Sequence, residues 1–200
     1  MAAKDENDEL IYERKEFLNI DFSEQTLRNI EYFQCTFERC TFNKADLSNS
    51  AFDKCTFKAC DFTMTVISNT GFRDVIFSEC KLMGVDFAIA SKFMFSFKFE
   101  KCYMNYCVFF GRNLKSTNFS GCTLKEVDFT EANLTSAIFT NADLTLTKFS
   151  NTNLEKADFR GSVNFSIEPE FNKLKKAKFS LLQLEGLLYK YQLDIDYGTN

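Results

Sequence analysis

The chain has 200 residues, enough for one ordinary domain or one elongated repeat array. It contains 25 Phe but no Trp, no His, a single Pro and seven Gly, and carries a net charge of −4. The lack of His removes the commonest general base and metal ligand. The acidic balance speaks against a basic nucleic-acid groove, so direct nucleic-acid binding is not expected.

Residues 1–14 form a polar N-terminal segment without the apolar core of a signal peptide. No apolar run approaches the roughly 18 residues needed to span a membrane. A cytoplasmic protein without a membrane segment is expected.

From Phe17 to Phe87 every fifth residue is large and apolar. A second series runs from Phe99 to Phe159 in the same way, and all 28 positions conform. Chance would produce this less than roughly once in a billion trials, so the chain is read as a repeat array. A period of five fits neither a helix nor a flat strand. A backbone that turns a corner every five residues, and pairs each coil with the next about 4.8 Å away, satisfies it.

The number of sides follows from residue size. Between Phe109 and Phe159 the central residues alternate Phe and Leu, and Leu27, Leu47 and Ile67 recur at spacing 20. Four sides stack like on like, whereas three would not. The residue two before each centre also points inward and is mostly Cys, Ala, Ser, Thr or Val, with Lys15, Gln25, Phe97 and Arg112 as exceptions. All eight Cys fall at these positions. Five residues apart places two of them on adjacent walls, and no C-x-x-C pair exists. They are read as small packing residues rather than ligands, and no metal or cofactor is expected.

Between residues 88 and 98 the register shifts by two, which predicts a bulge or short loop. Phe93, Phe95, Tyr103, Tyr106 and Phe110 lie at or near presumed outward positions there. They form a candidate partner-binding patch.

The repeat array is assigned to 15–166 and a C-terminal segment to 167–200. Ser180 followed by Gln183 reads as a capping box, and a helix is predicted near 181–191. Leu181, Leu184, Leu187, Leu188 and Tyr191 share one apolar stripe on it. The stripe can close the last coil, pair with a second copy, or do both.

Units such as Ala45-Asp46-Leu47-Ser48-Asn49, Ala132-Asn133-Leu134-Thr135-Ser136 and Ala157-Asp158-Phe159-Arg160-Gly161 resemble those of the pentapeptide-repeat family. The resemblance implies an all-β fold, a right-handed quadrilateral parallel β-helix, here with a short C-terminal α-helix. The Phe-rich, Cys-containing sequence is similar to the topoisomerase-protecting members of that family, namely Qnr-type, albicidin-resistance and microcin-immunity proteins. These imply a non-enzymatic mimic of DNA that binds DNA gyrase or topoisomerase IV, protects it from an inhibitor, and dimerises through its C-terminus. Asp46, Asp61, Asp86, Asp128, Asp143 and Asp158 are the candidate phosphate surrogates, although spacing 20 does not align them on one face. The rival expectation is a scaffold for another protein, and paired carboxylates such as Asp194 and Asp196 are read as solvated charges rather than acid/base catalysts.

Overall fold

A computed structural model describes residues 10–196. The period of five is realised as a four-sided parallel coil with 20 residues per turn. Strands β1 (Leu10–Glu13) and β2 (Glu16–Leu18) pair in parallel with β3 (Ile30–Phe33) and β4 (Thr36–Glu38). β3 and β4 pair in turn with β5 (Ala51–Asp53) and β6 (Thr56–Lys58). β7 (Gly71–Ser78) receives both β5 and β6 and pairs with β8 (Phe95–Glu100). Beyond β8 the ladder continues as single parallel bridges at spacing 20, such as Thr123 with Asp143 and Asp158 with Lys178.

Most corners place a residue in the left-handed region; those at Ile89 and Phe171 are 3-10 turns instead. Most left-handed positions are filled without glycine, for example by Arg39 (φ 52°), Asn49 (φ 61°) and Asn141 (φ 57°). Left-handed backbone costs a non-glycine residue free energy, with Asn most tolerant of it. The pairing of each corner N–H with the adjacent coil, as in Asn49 N–H to Ser48-equivalent Ser68 O at 2.9 Å, offsets that cost.

The four walls carry different ladders. The first is Phe throughout: Phe17, Phe37, Phe57, Phe77, Phe99, Phe119, Phe139, Phe159 and Phe179 stack with ring centroids 4.5–5.4 Å apart and planes within 2–16°. The second begins with Phe22, Phe42 and Phe62 and continues with Leu82, Met104, Leu124 and Leu144. The third starts with Leu27, Leu47 and Ile67 and becomes Phe87, Phe109, Phe129 and Phe149. The fourth does the reverse, from Tyr12, Tyr32, Phe52 and Phe72 to Leu114, Leu134, Leu154 and Leu174. Rings on adjacent walls meet edge to face, as Phe37 meets Phe52 at 72°. These contacts and their burial supply the core.

The small inward residues close hydrogen bonds between coils. Thr65 donates to Phe42 O (2.7 Å), Thr70 to Leu47 O (2.8 Å) and Cys80 to Phe57 O (3.4 Å). The thiol stack is longer than Cys40, Cys60 and Cys80, because the two-residue shift brings Cys102 and Cys122 onto the same wall. Burial pushes the Cys55 thiol up to about 12 and raises Cys107 further, which keeps both protonated and unreactive.

Three expectations need correction. The coil begins before residue 15, since Leu10 already pairs with Ile30. It also runs past 166, with Lys173 and Lys178 bridging to the coil below and Phe179 stacked on Phe159. The loss of period after Gly161 is local: the expected centres Asn164 and Pro169 point outward, Phe165 turns inward one residue late, Ile167 keeps the inward series, and the chain length per turn is kept. The C-terminal helix exists but is wound as 3-10 turns, Leu181–Leu187 and Tyr189–Tyr191, not as an α-helix. Ser180 makes no side-chain cap there; its Oγ accepts instead from the Gly161 N–H (3.0 Å), and the Gln183 N–H bonds Ser180 O. The remainder of the 1–14 segment and residues 197–200 lie outside the described residues.

Candidate interaction surface

All six candidate aspartates occupy the outward position just before a wall centre. Each accepts the backbone N–H two residues on, from Ser48, Thr63, Ala88, Thr130, Thr145 and Arg160, at 2.8–3.2 Å. The side chain thus closes a local turn at every site, the ordinary work of Asp and Asn in tight bends. This accounts for their recurrence in the repeat and does not by itself make a surface functional.

Ion pairing separates them. Asp46 is held by Arg28, Asp61 by Lys81 (3.5 Å), Asp143 by Lys125 (3.3 Å), and Asp158 by Arg160 (2.6 Å) and Lys178 (3.7 Å). The Arg28 guanidinium holds the Asp46 carboxyl at about 2. Burial raises the Asp143 carboxyl, but hydrogen bonds from Thr145, Asn164 and Lys125 outweigh it and bring it to about 2. Asp86 and Asp128 have no cationic partner among the described residues.

Both unpaired aspartates lie on the third wall, in one outward column that reads Asp46, Val66, Asp86, Val108, Asp128. From Ala45 to Glu131 this wall contains no Lys or Arg, while each of the other three carries several over the same coils. Arg28 and Lys148 bound the stretch at its two ends. The wall is therefore a strip of net negative potential with apolar gaps. Asp61, Asp143 and Asp158 stand on other walls and do not contribute to it.

The register break lies at the edge of the same wall. Ser91 N–H still bonds Thr70 O in register (3.0 Å), but Phe72 N–H then bonds Met94 O (2.7 Å). Three residues, Lys92, Phe93 and Met94, have been inserted. One is taken back where Asp74 bulges from β7, as the pairing steps from Phe72 with Phe95 to Val75 with Phe97. The net shift is the two residues seen in the sequence.

The aromatic patch is only partly as expected. Phe93 projects from the loop and is 99% exposed. Tyr103 lies on the second wall, Tyr106 at the corner between the second and third, and Phe110 at the far side of the third; all three are exposed. They girdle one coil rather than meet as one cluster. Phe95 is a correction: it is half-buried, packs on the core and lies under the Arg112 guanidinium at 3.6 Å.

At the C-terminal end the apolar stripe is divided, because three residues per turn aim its members differently from an α-helix. Leu187 packs on the core, whereas Leu181, Leu188 and Tyr191 are exposed and Leu184 is intermediate. Leu182, which the stripe did not include, is also exposed. Leu181, Leu182, Leu184, Leu188 and Ile195 line an apolar groove of about 340 Å³. Lys190 fastens the cap to the last coil through Glu170 (2.7 Å) and Glu168 (3.8 Å).

Models of the pentapeptide repeat region match residues 30–93 and 89–159. The chain belongs to the pentapeptide-repeat family. Among solved pentapeptide-repeat structures, a trypsin-treated variant of QnrB1, described as a plasmid-mediated fluoroquinolone resistance protein, superposes with a TM-score of 0.61. It is 16% identical over 93% of this chain and 100% of that one, a likeness of fold. HetL from the cyanobacterium Nostoc sp. strain PCC 7120, involved in heterocyst differentiation regulation, is also 16% identical, over 85% and 87% of the two chains, with a TM-score of 0.42. No curated protein sequence matches the chain. No helix among the described residues is long and apolar enough to cross a membrane.

Two features of this pentapeptide-repeat surface escaped the sequence reading. The cation-free wall was available from the sequence, had every Lys and Arg been sorted by spacing 20. The role of Arg112 was not, because its environment depends on how the loop folds back.

Proposed function

We propose that the chain is a non-catalytic protein that occupies the DNA-binding surface of a type II topoisomerase, DNA gyrase or topoisomerase IV, and so protects it from an inhibitor. The observation that carries this reading is the cation-free third wall with Asp86 and Asp128 unpaired on it. The fluoroquinolone resistance role of QnrB1 supports it by analogy of fold. The aspartates of the wall recur every second coil, roughly 10 Å. They supply a sparse negative potential rather than a phosphate-by-phosphate copy of DNA, with the valines between them filling apolar contacts. The exposed leucines of the cap groove join two copies into a longer rod.

The test is a supercoiling assay with purified gyrase, with and without a poison. Wild-type protein rescues the poisoned enzyme, and Asp86→Asn/Asp128→Asn loses about tenfold in potency, with a steep dependence on salt. An unchanged gyrase reaction over the full titration, repeated with topoisomerase IV, overturns the reading. A second reading, an interaction scaffold for another protein, is favoured by the complete exposure of Phe93. Under it, partner capture survives high salt and is lost on Phe93→Ala.

A further inference from the structure

Arg112 occupies an inward position that the repeat reserves for a small residue. It is 5% exposed. Its guanidinium donates to Ala90 O (3.1 Å) and Ser91 O (2.5 Å), and one face lies on the Phe95 ring. Among the described residues the remaining three N–H groups have no acceptor, and no carboxylate pairs with the charge. Burial pushes the guanidinium's pKa down with nothing opposing it. A buried charge held only by neutral carbonyls is costly, and side chains in that position are normally paired.

The loop beside it makes a cavity of about 270 Å³, lined by Lys92, Phe93, Phe95, Gly111, Arg112 and Asn113. Two cations and two rings thus converge on one opening, and Gly111 leaves its wall free of a side chain. The size suits a ligand of one or two rings rather than a drug-sized molecule. We propose that this cavity binds a small planar aromatic carboxylate, with its anionic group on Lys92 and Arg112 and its ring against Phe93. The carboxylate supplies the missing counter-charge through charge-assisted bonds, and the ring covers the one fully exposed Phe.

The site does not depend on a topoisomerase partner and is tested without one. The probe is 1-naphthoate, titrated into the full chain by calorimetry, with 1-naphthamide and acetate as controls. Saturable binding of naphthoate is expected, with both controls on the order of tenfold weaker or worse. Phe93→Ala and Lys92→Gln, both changes at the loop surface, weaken naphthoate to a similar extent. Arg112→Met keeps the volume of the inward side chain and abolishes binding, with its fold checked by circular dichroism. Equal affinity for naphthamide, full affinity in Phe93→Ala, or no saturation by naphthoate overturns the proposal.

Discussion

At the scale of single residues, the outward aspartates combine a structural duty with their charge. Asp46 and Asp143 both have carboxyls brought from 3.8 to about 2 in the folded chain. A depressed carboxylate contributes stability that is present above its unfolded value and is lost as pH falls through its folded value. The melting temperature should therefore fall between about pH 4 and pH 2, and Asp46→Asn or Asp143→Asn should each flatten that fall. The Asp46 effect should shrink in high salt, because Arg28 is largely exposed. The inward residues were readable one by one, since size alone marks them. The charges were mostly not, because the partner of Asp46, Asp61 or Asp143 lies some 20 residues away on the adjacent coil; only the Asp158–Arg160 pair is local.

At the scale of the element, the repeat was legible because every coil obeys the same steric rule. Phe, Leu, Ile and Met at the centre and Cys, Ala, Ser, Thr or Val two before it leave one way to close the turn. Legibility ended where the rule ends. The coil that contains Phe165 keeps its length and its inward Ile167 but has Asn164 and Pro169 where large apolar centres are expected, so the period alone placed the boundary near 166 instead of past Phe179. The helix stripe failed in a similar way. Close contact with the coil beneath sets its winding, and Gly186 is the point of contact. Its carbonyl accepts from the Ile167 N–H (2.9 Å), and a Cβ there would lie 2.4 Å from Phe165 O and 2.5 Å from its ring. Gly186→Ala should push the cap away at a cost of about 1–3 kcal/mol. Hydrogen exchange should then speed up over 180–191 while the middle coils keep their protection; unchanged exchange in the cap would refute the contact.

At the scale of the whole molecule, the walls differ in charge and the ends differ in closure. Sorting the chain by spacing 20 turns a sequence of net charge −4 into a rod with one side free of cations from Ala45 to Glu131. Average composition concealed this, and the bridges that fix each residue to its wall make it visible. Self-association belongs to this scale as well. Leu184→Glu/Leu188→Glu places charge in the cap groove, and light scattering should report a single chain where the wild type reports two. A persistent dimer would remove the groove from the interface. The double variant should still melt cooperatively, because neither side chain belongs to the stacked core.

The difference between the ends has a dynamic consequence. In the first described coil Phe17, Phe22 and Leu27 are only partly covered; at the other end Leu174 and Phe179 are partly covered as well, but there the cap adds Leu187 to the core and Phe165 and Ile167 are sealed. Each coil touches only its neighbours, so the molecule behaves as a one-dimensional chain of units whose weakest member opens first. Under heat or a steady pull it should come apart as a zipper with one running end: coils peel away from the N-terminal side in sequence, and the cap acts as the stop from which they close again.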